Sequence, residues 1–246
     1  MQSYSNSQIA IALLSSLDYQ SQLLAITEQL ERHAQEEELI SRRIEKLEQE
    51  AQHCDSEEQA YLISSERDEL CHRSVFQCAA HSTAAIGMLA PFVESLFHQT
   101  FLNIQTWFES SSLPNQHHPR WKMPVAIQWD CHYVSYSGKR KDIARGIAEL
   151  CTAVGLTPFL SLEPQKVLEA LFAYRNRMLH CGLEWPEHER TKFACLIQEN
   201  GWDDWFALAT SSDKPWVFCL TERFIKACLD EIERMLSGIG ELVVSS

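Results

Sequence analysis

Glycine and proline are scarce, eight of each in 246 residues, about half their usual combined share. With so few breakers the elements should be long and uninterrupted, which favours a mainly helical fold. Positive charge is also in the minority. Lys and Arg number 21 against 34 Asp and Glu, a formal net charge of −13, and this argues against a protein that coats nucleic acid by neutralising phosphates. A confined basic site is still compatible with that balance. There is no long uncharged apolar run: Ala84 to Phe108 contains Pro91, Glu94 and His98, so it reads as a buried amphipathic helix and not a membrane span. The apolar stretch Ile9–Leu14 has no basic residue before it, and Asp18 soon follows, unlike a targeting segment. The expectation is a soluble, cytoplasmic protein with no membrane partner. At 45% hydrophobic and 22% charged residues, the chain has the composition of a globular core, not of a disordered segment.

The nine cysteines include no Cys-x-x-Cys pair, which argues against a disulfide framework and leaves most of them as small apolar residues. Two groupings bear on metal binding: Cys78 with His81, and His117-His118 with Cys131-His132. A structural zinc site presents four ligands in two tight pairs, which neither grouping does. No metal and no cofactor is expected.

Acidity is unevenly placed. Residues 1–75 carry 15 acidic and 6 basic side chains, and the remaining 171 carry 19 and 15. The acidic part holds a stripe at steps of three and four, Leu23, Ile26, Leu30, His33, Glu37, Ile40, Ile44, Leu47, Ala51 and Cys54. That spacing predicts a helical hairpin over residues 1–80, turning near Asp55-Ser56. Its stripe serves either a dimer or partner surface, or packing on its own domain. Pro91 is expected to open a separate helix running to Phe108. Residues 110–140 read as loop, with Arg120, Lys122, Lys139, Arg140 and Lys141 interleaved with Trp121, Trp129, Tyr133 and Tyr136. Cations beside rings suit phosphate holding and base stacking; an aromatic-anchored loop over the core is the other reading. Further helices are expected from Asp142 to Val154, Pro164 to Gly182 and Glu187 to Asn200. A short β-hairpin and a last helix from Thr221 to about Leu236 complete the expected order.

Chemistry concentrates at the end of the helix opened by Pro164. Its apolar stripe is Val167, Leu171, Tyr174 and Met178. Asn176 and His180 stand at i and i+4, one above the other, with Arg175 just before and Arg177 just after Asn176. An Arg-x4-His spacing arises roughly 0.5 times by chance in a chain of this composition, and Arg67 to His72 is a second instance. The first is preferred because it ends an amphipathic helix at a glycine cap, whereas Arg67 lies in an acidic run. The other reading of Arg175 and His180 is cationic side chains near the negative end of a helix dipole.

This segment resembles the HEPN family, all-helical nucleic-acid-processing domains marked by Arg-x4-6-His with a polar residue after the Arg. Arg175, Asn176 and His180 occupy those positions. Gly182-Leu183-Glu184-Trp185-Pro186 and the Trp216-containing hairpin look like a bacterial branch of the family. The resemblance spans about residues 85–236 and implies a HEPN-like helical bundle over 81–246, with the acidic hairpin as an extension. It also implies a homodimeric, metal-independent endoribonuclease in which Arg175, Asn176 and His180 are catalytic. Arg177, Arg120, Lys122, Lys139, Arg140 and Lys141 would then contact RNA. A toxin or phage-defence role, with an antitoxin or regulatory protein as partner, would follow. A non-catalytic HEPN-like module that binds RNA or protein is the alternative, and a helical interaction protein acting through residues 1–75 is a third reading.

Overall fold

Helix dominates, as the shortage of breakers requires. A computed structural model describes residues 4–14, 17–108, 115–136, 142–160, 164–211 and 214–245. Among them run α1 (Asn6–Leu13), α2 (Tyr19–Gln52), α3 (Glu57–Phe108), α4 (Val125–Gln128), α5 (Ile143–Ala153), α6 (Pro164–Cys181) and α7 (Glu187–Asn200). The antiparallel strands β1 (Phe206–Ser211) and β2 (Lys214–Leu220) follow, and then α8 (Glu222–Ser245). No helix among the described residues is long and apolar enough to cross a membrane.

Several ends are set by local chemistry. The Asp142 side chain accepts the Arg145 amide and caps α5. Gly155, Gly182 and Gly201 take positive φ just past α5, α6 and α7, where a side chain would be strained. Two expectations fail for non-local reasons. Pro91 does not open a helix: α3 runs straight through it. Leu89, Ala90, Phe92, Val93, Leu96 and Phe97 are all buried around it, while Pro91 and Gly87, whose carbonyl loses its donor, are both exposed to water. Helix α8 does not end near Leu236 but continues to Ser245, because Met235, Leu236 and Ile239 are buried and that packing outweighs the low helix propensity of Gly238 and Gly240.

The chain forms two compact units, each assembled from separate stretches. One comprises residues 1–24, 88–175 and 226–246; the other comprises 25–87 and 176–225. The boundary expected at residue 80 therefore falls inside α3, short of its change of unit after Gly87. In the first unit Tyr19 is buried, meets Phe92 edge-on at 5.7 Å and donates to the Ser95 carbonyl at 3.0 Å. Close backbone approach there depends on glycine. A Cβ on Gly146 would lie 2.0 Å from the Cys131 carbonyl oxygen and 2.7 Å from that of Tyr133. Gly146→Ala should therefore cost about 1–3 kcal/mol, read as a lower midpoint in urea unfolding.

In the second unit the α2 stripe faces its own chain. Ile26, Leu30 and Leu47 are buried, and Ile40 and Ile44 are partly so. The two polar residues that interrupt the stripe have partners on α3. His33 stacks on His81 with centroids 4.3 Å apart and planes 2° from parallel, and the His81 ring bonds Glu37 at 2.8 Å. Burial, then the neighbouring His81, holds the His33 imidazole below its usual pKa. An Arg43–Glu66 pair at 2.7 Å adds a rim contact. Trp185, Phe193, Phe206 and Phe218 form the aromatic core joining α7 to the hairpin.

Four of the nine cysteines, Cys131, Cys151, Cys219 and Cys228, are buried, four are half-buried and Cys195 is exposed. Burial, then the nearby Asp130 carboxylate, pushes the Cys131 thiol up to about 12.

Candidate active site

Helix α6 buries the stripe expected of it. Val167, Leu171, Tyr174 and Met178 are all at most 7% exposed, which fixes the rotation of the helix and hence the direction of every other side chain on it. Arg175, at the edge of the stripe, is half-buried. Its Nη2 lies 3.4 Å from Glu94 Oε2. The other Glu94 oxygen is 2.6 Å from His132 Nε2, and His132 Nδ1 is 2.6 Å from Asp130 Oδ1. The His132 amide also donates to Asp130 at 2.9 Å. A guanidinium, a carboxylate, an imidazole and a second carboxylate thus stand in one chain of charge-assisted contacts within the first unit. Each charge is half-buried, where such bonds are stronger than in open water.

Asp130 and His132, neighbours in that chain, shift each other. Burial alone would lift the Asp130 carboxyl, but hydrogen bonds from the His132 amide and ring outweigh it and hold it below the usual carboxylate value. Burial works against a charged His132, yet hydrogen bonds to Glu94 and Asp130 prevail and raise the ring above 6.5. A group whose folded pKa is raised contributes stability that is complete below its unfolded value and disappears as pH climbs through the folded one. The stability advantage of the parent over His132→Gln should therefore be full near pH 5.5 and shrink toward about pH 9. Urea unfolding at both values measures it, and an advantage independent of pH would mean that the ring is not held as a cation.

Asn176 and His180 belong to the second unit. Both are exposed on the last turns of α6. Arg177, expected to contact RNA, is instead ion-paired with Glu189 on α7, both side chains being mostly buried (23% and 16% exposed). Arg120 departs further from expectation. It is fully buried, donating from Nε to the Gln128 carbonyl at 2.7 Å and from its Nη atoms to the carbonyls of Ile127, Asp130 and Tyr133, with Glu149 3.6 Å away. It organises the loop from inside and is not available to a phosphate. Burial lowers its pKa, with Glu149 opposing. Lys122 is exposed. Lys139, Arg140 and Lys141 lie outside the described residues. Trp121 and Trp129 pack on each other at 5.0 Å, and Gln128 donates to the carbonyls of Trp121 and Met123, so this part of the loop has the anchored character of the second reading.

No spacing in the sequence marks Glu94, Asp130 and His132 as a group. The signal was a carboxylate inside the apolar run of α3, which folding tolerates only with partners. Asp130, Cys131 and His132 bring ligand-type atoms within 4.8 Å of one another. Both His132 nitrogens are already engaged by carboxylates and the Cys131 thiol is held protonated, a poor donor set for a cation. His81, the other histidine weighed for metal, is engaged by Glu37 and Glu36. Compared with family models, with curated proteins and with solved structures, the chain matches none.

Proposed function

We propose that this protein is a metal-independent endoribonuclease that works as a homodimer, with Arg175, Asn176 and His180 as its catalytic residues. The observation that carries the reading is the treatment of Arg175. A guanidinium needed only for helix stability has no use for a Glu94–His132–Asp130 chain behind it. One needed to receive a phosphate must be held on one side and open on the other, and Arg175 keeps a third of its side chain exposed. On the same helix, Asn176 and His180 are presented to solvent.

The chemistry requires little else. RNA carries its own nucleophile, the 2′-hydroxyl. An imidazole removes its proton. The oxygen attacks the adjacent phosphorus, and the always-charged fork of arginine stabilises the negative charge gathering there. The 5′-oxygen leaves with a proton, giving a 2′,3′-cyclic phosphate and a 5′-hydroxyl. One imidazole cannot be base and acid in the same step, so two copies of the motif across a two-fold axis supply both. Asn176, one turn before His180, orients the ring or the phosphate. Lys122 and the cations at 139–141 hold flanking phosphates, while Arg177 and Arg120 are committed elsewhere. A toxin or phage-defence effector restrained by a partner protein is the setting such an activity fits.

A non-catalytic RNA- or protein-binding module is the second reading, favoured by the same Glu94 contact if it neutralises Arg175 instead of positioning it. Incubating the purified protein with single-stranded RNA in EDTA separates the two. The nuclease yields cyclic-phosphate ends that vanish in Arg175→Ala/His180→Ala. RNA retained intact by the folded parent sinks the enzymatic reading.

A further inference from the structure

A second recognition feature lies in the unit that carries His180. Past the Gly182 cap the chain turns through Trp185, whose indole N–H donates to the Gly182 carbonyl at 3.1 Å and whose amide donates to the Trp216 carbonyl at 2.9 Å. Arg190 Nη1 in turn donates to the Trp185 carbonyl at 2.5 Å. These bonds tie the end of α6 to a cleft of about 560 Å³ between α7 and the hairpin. Trp216 lines the cleft and packs on α3, against His72 edge-on at 4.8 Å and Phe76 at 4.9 Å. Leu208 and Phe218 add apolar lining, and Glu184, Glu187 and Arg190 add charge.

The size and apolar lining suit a flat ring, and the indole suits stacking against it. The charges then choose among rings. A phosphate is disfavoured by two carboxylates, and a cationic side chain by Arg190. Guanine alone among the common bases offers two adjacent donors, N1–H and the N2 amine, on one edge, and two acceptors, O6 and N7, on another. A carboxylate accepts from the first pair, and an arginine donates to the second. We infer that this cleft takes an unstacked guanine of single-stranded RNA, with Trp216 stacking on the base, Glu184 or Glu187 reading its donor edge and Arg190 its acceptor edge. The inference deepens the ribonuclease reading, on which it rests for the source of the base: it names guanosine beside the scissile bond as what the enzyme selects.

Calorimetric titration of the full-length protein with nucleosides tests it without relying on cleavage. Guanosine should bind. Inosine, which lacks the N2 amine, should bind about tenfold more weakly, and adenosine should give no measurable heat. Glu184→Gln/Glu187→Gln changes two exposed side chains, so it should melt like the parent yet lose guanosine binding by about tenfold or more. Equal binding of adenosine and guanosine, unchanged guanosine binding in that variant, or capture of Nα-acetyl-arginine amide in place of guanosine would each overturn the assignment, the last in favour of a basic peptide. Mapping cleavage sites keeps the two ideas apart. Cutting without base preference, together with no guanosine binding, removes the pocket and leaves the nuclease. Guanosine binding without any cleavage does the reverse.

Discussion

His180→Ala should slow RNA cleavage by about 100- to 10,000-fold, the range over which a positioned general acid–base group contributes. In a dimer each copy supplies one imidazole, so the loss removes base and acid together and belongs at the upper end of that range. The effect should appear in kcat with KM little changed, since the proton moves only in the reaction step. Arg175→Lys retains the charge but not the fork, and a phosphate that gathers charge on two oxygens is poorly served by a point cation; a loss of about 10- to 100-fold in kcat is expected. Glu94→Gln separates positioning from chemistry. Its amide oxygen can still accept from Arg175, but the charge that links Arg175 to His132 is gone. Activity should fall less than in Arg175→Ala. A rate for His180→Ala equal to that of the parent would leave the motif as a helix end and nothing more.

The parts of this fold legible in the sequence are those whose causes are local. Asp142 ahead of α5 and Gly182 and Gly201 behind α6 and α7 are end signals that depend on one residue and its own backbone. The stripe from Val167 to Met178 is legible because four residues share one face of one helix. Pro91 and Gly238 mislead for the converse reason. Each is a local breaker overruled by burial of its neighbours, and what buries them lies far away in the chain. The same holds at the site. The Arg-x4-His spacing stands out in the sequence because both residues lie on α6. The Glu94 contact, 81 residues from Arg175, and the His132 contact, 38 residues from Glu94, have no signature in spacing. Their only trace is a carboxylate where the pattern calls for an apolar side chain. His33 and Glu37 leave a similar trace in the α2 stripe, and the same physics resolves it through His81.

Arg120 is the sharpest case of a residue whose type announces charge while its surroundings decide its work, and the largest stability loss in the molecule is expected there. Its guanidinium, fully buried, supplies donors to the carbonyls of Ile127, Gln128, Asp130 and Tyr133. In Arg120→Ala the Gln128 and Tyr133 carbonyls lose this donor, while those of Ile127 and Asp130 keep the backbone amides of Asp130 and Tyr133, and Glu149, 15% exposed, loses its nearest counter-charge. Breaking a buried ion pair from one side costs about 3–5 kcal/mol, and the orphaned carbonyls place this substitution at the top of that range. Arg120→Lys should recover only part, because one ammonium cannot span carbonyls that a planar fork reaches together. Urea unfolding followed by far-UV circular dichroism measures both. A surface phosphate contact makes the opposite forecast, with stability unchanged and RNA affinity and its salt dependence reduced. The consequence reaches the site as well. Arg120 fixes the loop that carries Asp130 and His132, His132 holds Glu94, and Glu94 holds Arg175. Arg120→Lys, measured at a temperature where it remains folded, should therefore lower kcat for RNA cleavage even though residue 120 never meets the substrate.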